Sequence, residues 1–216
     1  GCESGGDPKN IPDLTYENFL NFHRTYYHPS NSYIYLYGNM DMEEKLAFLD
    51  EHYLSHFDYL DVDSVIQEQK AFGACRDVTL EYPVAENEGE EDNTYLSYNM
   101  VVGNAADSQM AMAFEVLDYA LLSAPGAPLK QALLDVKAGK DVYGSYDDGI
   151  LQPYFTVIAK GSNPDRKEEF VSVIRQVLGD IVKNGIDKKA VEAGINYFEF
   201  RYREADFSSY PKGLMY

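Results

Sequence analysis

The sequence predicts an α+β fold, an antiparallel sheet with helices layered on one face. Strand-like runs come in pairs, 77–82 with 94–102 and 141–146 with 151–160, and helix-like runs follow each pair. The order ββ-αα-ββ-αα repeats one supersecondary pattern, which favours a single layered sandwich. Of the 216 residues, 45% are hydrophobic and 14% aromatic, enough for a packed core.

The first segment runs to Phe57. Thr15 is a suitable N-cap for a helix carrying Phe19, Phe22, His23 and Tyr26, and Pro29 forbids its continuation. Tyr33-Ile-Tyr-Leu-Tyr37 is aromatic and β-branched, so a short strand is expected there. Asp41 and Glu44 form a D-x-x-E capping box for a helix with Leu46, Leu49 and Tyr53 inward. A lone strand cannot satisfy its own ladder, so residues 33–37 are expected to join a sheet made elsewhere. Residues 58–73 are polar and read as a linker.

The second segment starts near residue 74. The acidic run 86–92 reads as a solvated hairpin tip between the first two strands. Asp107 caps a helix with Met110, Phe114, Leu117 and Leu121 on one side, and Pro125-Gly-Ala-Pro128 breaks it before a second helix. Asp147-Asp148-Gly149 turns the second strand pair. Asn163-Pro164 starts a helix carrying Phe170, Val173, Val177 and Ile181, which Gly185 closes. Asp187 caps a last helix with Val191, Ile195, Phe198 and Tyr202 on one stripe. Beyond Arg203 the chain holds Phe207, Tyr210, Leu214, Met215 and Tyr216, too apolar for a solvated tail. The start, Gly1-Cys-Glu-Ser-Gly-Gly-Asp-Pro8, is a turn-rich loop without an initiating Met. The expectation is a piece of a longer protein.

A formal charge of −18 argues against nucleic acid, whose phosphates need a basic face. It serves solubility first and attraction of basic peptides second. Cys2 and Cys75 make no disulfide framework, which favours a reducing compartment. No apolar run approaches the roughly 20 residues of a membrane span.

Chemistry is sparse. His52-Tyr-Leu-Ser-His56 has the spacing of two imidazoles on one helix face, but no acid lies between them, and Glu51 points about 100° away from His52. A surface or interdomain role is the expectation for the pair. His23 and His28 flank an aromatic cluster and are expected to pack or hydrogen bond. Ser4-Gly-Gly-Asp-Pro8 lacks the spacing and lysine of a phosphate loop. Neither cysteine sits in a C-x-x-C pair, and Asp147 and Asp148 fit a turn better than a catalytic dyad. Arg201, Arg203 and Glu204 are expected on an exposed, salt-bridging helix face. No catalytic or metal-ligating residue is assigned, and substrate-binding residues are unknown from sequence.

Three stretches are more specific: Glu3-Ser-Gly-Gly-Asp-Pro-Lys-Asn-Ile-Pro-Asp-Leu-Thr15; Phe22-His-Arg-Thr-Tyr-Tyr-His-Pro-Ser-Asn31 with Tyr37-Gly-Asn39; and Phe200-Arg-Tyr-Arg-Glu-Ala-Asp-Phe-Ser-Ser-Tyr-Pro-Lys-Gly-Leu214, preceded by Gly144-Ser-Tyr-Asp-Asp-Gly-Ile-Leu-Gln-Pro153. Together they resemble the presequence-protease branch of the insulinase/pitrilysin-like zinc metallopeptidases, over nearly the whole chain. The resemblance implies an α/β sandwich of the mitochondrial-processing-peptidase type, one of four related domains in a clamshell that encloses and cuts unfolded peptides. It implies zinc in the parent enzyme, held by an inverted H-x-x-E-H helix that this chain lacks. On that reading residues 1–57 are the C-terminal remnant of the first, catalytic domain, 58–73 the linker and 74–216 the second, non-catalytic domain. The expected function is a non-catalytic portion of a zinc-dependent metalloendopeptidase, forming chamber wall and scaffold and inactive alone. The alternatives are a free-standing acidic peptide-binding module and an inactive structural subunit. Expected partners are the remaining domains of the parent and peptide substrates, with neither nucleic acid nor membrane, in the cytoplasm or an organelle matrix.

Overall fold

The computed structural model describes residues 5–204, which divide into two compact units, 5–67 and 68–204. The closing apolar stretch with Phe207, Tyr210, Leu214, Met215 and Tyr216, together with Cys2, lies outside the described residues.

The first unit holds two helices, α1 (Tyr16–Tyr26) and α2 (Met42–His52). Thr15 caps α1 as expected, its hydroxyl accepting from Asn18 N–H at 3.1 Å while the Asn18 side chain accepts from Thr15 N–H at 3.2 Å. The Asp41 carboxylate accepts from Glu44 N–H at 3.1 Å to start α2. No residue of 5–67 is buried, although α1 carries Tyr16, Phe19 and Phe22. Residues 33–37 are not a strand, which corrects the expectation. Among the described residues this unit has no strand to supply a ladder, and a strand needs one.

The second unit is the α+β sandwich. Three strands, β1 (Thr94–Val101), β2 (Asp141–Asp147) and β3 (Tyr154–Ser162), form an antiparallel sheet of order β1-β3-β2. Among the described residues, neither outer strand pairs with another strand along its far edge. α3 (Ser108–Asp118), a π-helical turn (Tyr119–Ser123), α4 (Pro128–Asp135) and α5 (Lys167–Asn184) form the helical layer, and α6 (Lys188–Glu204) packs on α3.

Strand alternation explains the layering, since successive side chains face opposite ways. Leu96 and Tyr98 of β1, Val142 and Tyr146 of β2, and Phe155, Val157 and Ala159 of β3 share the inner face. Against them lie Leu121 and Leu122 of the π turn, Leu129 and Leu133 of α4, and Phe170 and Ile174 of α5. Phe170, Leu129, Leu133, Ile174, Val142 and Val157 are fully buried, each removing enough apolar area to stabilise the fold by about 1.5–3 kcal/mol. Gly144 faces the same layer. A β-carbon there would run into the Thr156 carbonyl and Leu122, so β2 approaches β3 and the π turn more closely than any other residue permits.

Residues 77–82 do not pair with β1, a second correction. The chain enters β1 through Asp92 in left-handed conformation (φ 58°), pinned to the end of β3, instead of through a tight hairpin turn. Side chains hold this segment instead: Asp77 pairs with Lys167, and the Tyr82 hydroxyl donates to the Asn93 carbonyl. Of the expected stripe on α6, Phe198 is buried, Val191 half-buried and Tyr202 bonded to α3, whereas Ile195 is exposed and Gly194 is buried in its place. Gly194 sets the difference. Its α-carbon rests against Val116 and Tyr119, where a β-carbon would sit 3.2 Å from both side chains, and this close approach rotates Ile195 outward.

Candidate functional site

The residues that the sequence singles out are dispersed and engaged in structural contacts. The α2 helix stops at His52, and Tyr53 breaks it (φ −139°, ψ −66°), placing His56 in a separate 3-10 turn. The i,i+4 geometry of the two imidazoles is thereby lost. His52 packs on Phe48 at 4.6 Å, and His23 stacks on Tyr27 at 4.9 Å. His28 accepts from Ser30 N–H through Nδ1 at 3.2 Å and meets the Phe57 ring edge-on. These donors do not fit a zinc centre, and no group of three or more His, Cys, Asp or Glu among the described residues is placed to hold a metal. No helix among them is long and apolar enough to cross a membrane.

Asp147 makes the expected turn, accepting from Gly149 N–H at 3.1 Å and from the Tyr154 hydroxyl at 2.9 Å. That second bond raises the Tyr154 pKa. Asp7 accepts from Lys9 N–H at 2.9 Å, an Asx turn in the opening loop. Cys75 is free and exposed. Arg203 pairs with Glu199 one turn back on α6. The acidic run is not wholly solvated. Asp92 and Asn163 exchange two hydrogen bonds, at 2.9 and 2.8 Å, and Lys140 lies 3.2 Å from the Asp92 carboxylate. The Asn163 bond, then that to Lys140, holds this carboxyl below its usual range.

Two arrangements escape sequence reading. One is the sheet's outer face, which no helix of this unit packs against among the described residues. Its cross-strand rows are Tyr95, Lys160 and Asp141; Ser97, Ile158 and Tyr143; Asn99, Thr156 and Ser145; Val101, Tyr154 and Asp147. The Thr156 hydroxyl donates to Asn99 Oδ1 at 2.6 Å, and Asn99 Nδ2 donates to Ser97 at 2.7 Å, so a polar ladder crosses the strands. At one end, Asp92, Tyr95, Lys140, Asp141 and Lys160 line a shallow cavity of about 350 Å³. This face mixes rings, hydroxyls and amides.

The other is a carboxylate–tyrosine cluster where α3 meets α6 and β2. The Tyr202 hydroxyl donates to Glu115 Oε2 at 2.9 Å, and Tyr119 stacks on Tyr197 at 5.1 Å. Phe114 stacks on Tyr146 at 5.4 Å. Burial raises the Glu115 pKa, opposed by the Tyr202 bond. Burial likewise raises Tyr202, aided by that same bond. Tyr146 is raised by burial and then by the charges of Asp148, Glu115 and Asp107. Burial pushes Asp118 up to about 6, with the Ser123 side chain opposing. Among the described residues, Asp118 Oδ1 and the Tyr146 hydroxyl are buried without a hydrogen-bond partner. The local signal was a pair of carboxylates, Glu115 and Asp118, inside the otherwise apolar run 114–122.

Comparison with known proteins follows the same lines. Residues 13–198 match the family model described as the Peptidase M16 inactive domain. The chain is 49% identical over 213 residues to Protein HypA of Clostridium perfringens, covering 99% of this chain and 22% of that protein. It is 36% identical over 218 residues to Presequence protease 1, chloroplastic/mitochondrial, of Arabidopsis thaliana, covering 99% of this chain and 20% of the relative. The crystal structure of a putative M16-like peptidase from Alicyclobacillus acidocaldarius superposes with a TM-score of 0.57 at 18% identity, over 94% of this chain and 47% of that one. The chain thus spans about a fifth of the length of these curated relatives.

Proposed function

This chain belongs to the family of Peptidase M16 inactive domains, with presequence proteases among its relatives, and from that premise we propose that it is a non-catalytic portion of a zinc-dependent metalloendopeptidase that degrades unfolded peptides. Its role is wall and scaffold of the peptide chamber. Its partners are the remaining domains of the parent enzyme, and its place is the cytoplasm or an organelle matrix.

The observation that carries the reading is the outer face of the sheet, which no helix of this unit packs against among the described residues. One face is sealed by α3, α4 and α5. The other offers Tyr95, Tyr143 and Tyr154 interleaved with Ser97, Asn99 and Ser145. Tyrosines supply large, rigid contact area at small entropic cost, and the hydroxyls and amides meet a peptide backbone of any sequence. The chain also lacks the H-x-x-E-H helix that would supply metal ligands and base.

Two measurements on the purified chain test this. Metal analysis with a peptide-cleavage assay is expected to give no stoichiometric zinc and no hydrolysis. About one zinc per chain with chelator-sensitive cleavage would overturn the non-catalytic role. Titration with a labelled unfolded peptide is expected to perturb amides in the Tyr95, Asn99, Tyr143 and Tyr154 rows only, without saturating. Saturable micromolar binding would instead make the chain a free-standing acidic peptide-binding module.

A further inference from the structure

From the hydrogen bonds around the linker we infer that Val65, Ile66 and Gln67 are the pivot between the two units, and that a side-chain clamp on either side sets its length. The inference stands apart from the peptidase reading, since it concerns only how this chain can move. On the far side the clamp is Gln152. Its Oε1 accepts from Gln69 N–H at 2.7 Å, and its Nε2 donates to the Gln69 carbonyl at 3.0 Å. A carboxamide has one acceptor and one donor edge, so Gln152 satisfies both backbone groups of one residue, as a β-bridge does. Asn104 Nδ2 adds a bond to Glu68 Oε1 at 3.2 Å.

Gln152 can hold the linker because its own backbone is fixed. Ala105 N–H donates to the Leu151 carbonyl, and Val102 N–H to the Pro153 carbonyl, both at 2.9 Å. Residues 68 and 69 therefore travel with the sandwich.

The near clamp is made by the loop after α1. Leu60 N–H donates to Ser30 Oγ at 3.1 Å, and Ser64 Oγ donates to Asn31 Oδ1 at 2.6 Å. Asn31 is tied in turn to the end of α1, its Nδ2 donating to the Tyr26 carbonyl at 2.9 Å. Residues up to 64 thus travel with the first unit. Val65, Ile66 and Gln67 are exposed and make no hydrogen bond among the described residues. Fully extended, such a stretch spans roughly 10 Å. The pivot is thus short, far shorter than the polar region 58–73 suggests from its composition.

Hydrogen exchange and limited proteolysis of the whole chain test this, using Gln152→Leu, which removes both bonds at similar volume, and Gln152→Glu, which keeps only the acceptor. In the unaltered chain an aliphatic-specific protease is expected to cut after Val65 or Ile66 before any site within 68–204. Gln152→Leu is expected to speed exchange of the Gln69 amide, and tryptic cleavage after Lys70, by about tenfold, the effect of losing one ordinary hydrogen bond. Gln152→Glu should fall between, with β3 amides unchanged throughout. A Gln69 amide as labile in the unaltered chain as in Gln152→Leu, or a cut within 68–204 ahead of one at 65–67, overturns the inference. If Gln152→Leu also loses β3 protection, Gln152→Glu decides: an intermediate Gln69 rate supports the clamp, and an unaltered or fully released rate overturns it.

Discussion

Asp118 is the carboxylate that this fold accommodates least. It ends α3 at the point where the helix widens into the π turn, and one of its oxygens is buried without a partner among the described residues. Burial raises its pKa from an ordinary 3.8 to about 6. The folded state therefore binds the proton more tightly than the unfolded chain. Its contribution to stability is whole below about pH 4 and is lost as pH rises through about 6. Asp118→Asn is expected to stabilise the chain at pH 8 by about 1 kcal/mol, discounting the full shift because the group is partly exposed, and to leave pH 4 stability little changed. Denaturant melts of both proteins at the two pH values check this; equal midpoint changes would contradict it. The sequence held half of the clue, two carboxylates, Glu115 and Asp118, inside an apolar run. It could not show Tyr202 closing on Glu115, because those residues are 87 positions apart.

At the scale of elements, β2 depends on a missing side chain. Gly144 lets the strand press against the Thr156 carbonyl and the Leu122 side chain of the π turn. Gly144→Ala is expected to cost about 3 kcal/mol, because the obstructing atom is backbone and cannot rotate away. Thermal unfolding reads the cost directly, and a change below about 0.5 kcal/mol would refute the close packing. Helices were the most legible elements. Thr15, Asp41, Asp107 and Asp187 each announce a helix start, since capping is local chemistry. Pairing is not local, so the aromatic run 33–37 and the alternating run 77–82 looked like strands yet find no ladder. The His52 and His56 spacing failed for the opposite reason: Tyr53 ends the helix that the spacing assumes. The rows of the outer face became readable only once the register of β1, β2 and β3 was known.

Over the whole molecule, protection is concentrated in one unit. The sandwich owns every buried residue described, and residues 5–67 own none. Amides of β3, bonded on both sides, are expected to exchange slowest, and those of α1 and α2 many times faster in this isolated chain. Exchange as slow in α1 as in β3 would show that the first unit has a core of its own. The sheet's two rims differ in a way that bears on handling the protein. β2 begins with Asp141 and ends with Asp147, whereas β1 from Thr94 to Val101 carries no charge at all. A second copy pairing antiparallel along β2 would set aspartate against aspartate, and edge strands guarded by charge resist such contact. Along β1 no such repulsion exists. Self-association in concentrated solution is therefore expected to start at β1, and Ser97→Lys to slow it, as light scattering would read; equal scattering from both proteins would contradict this.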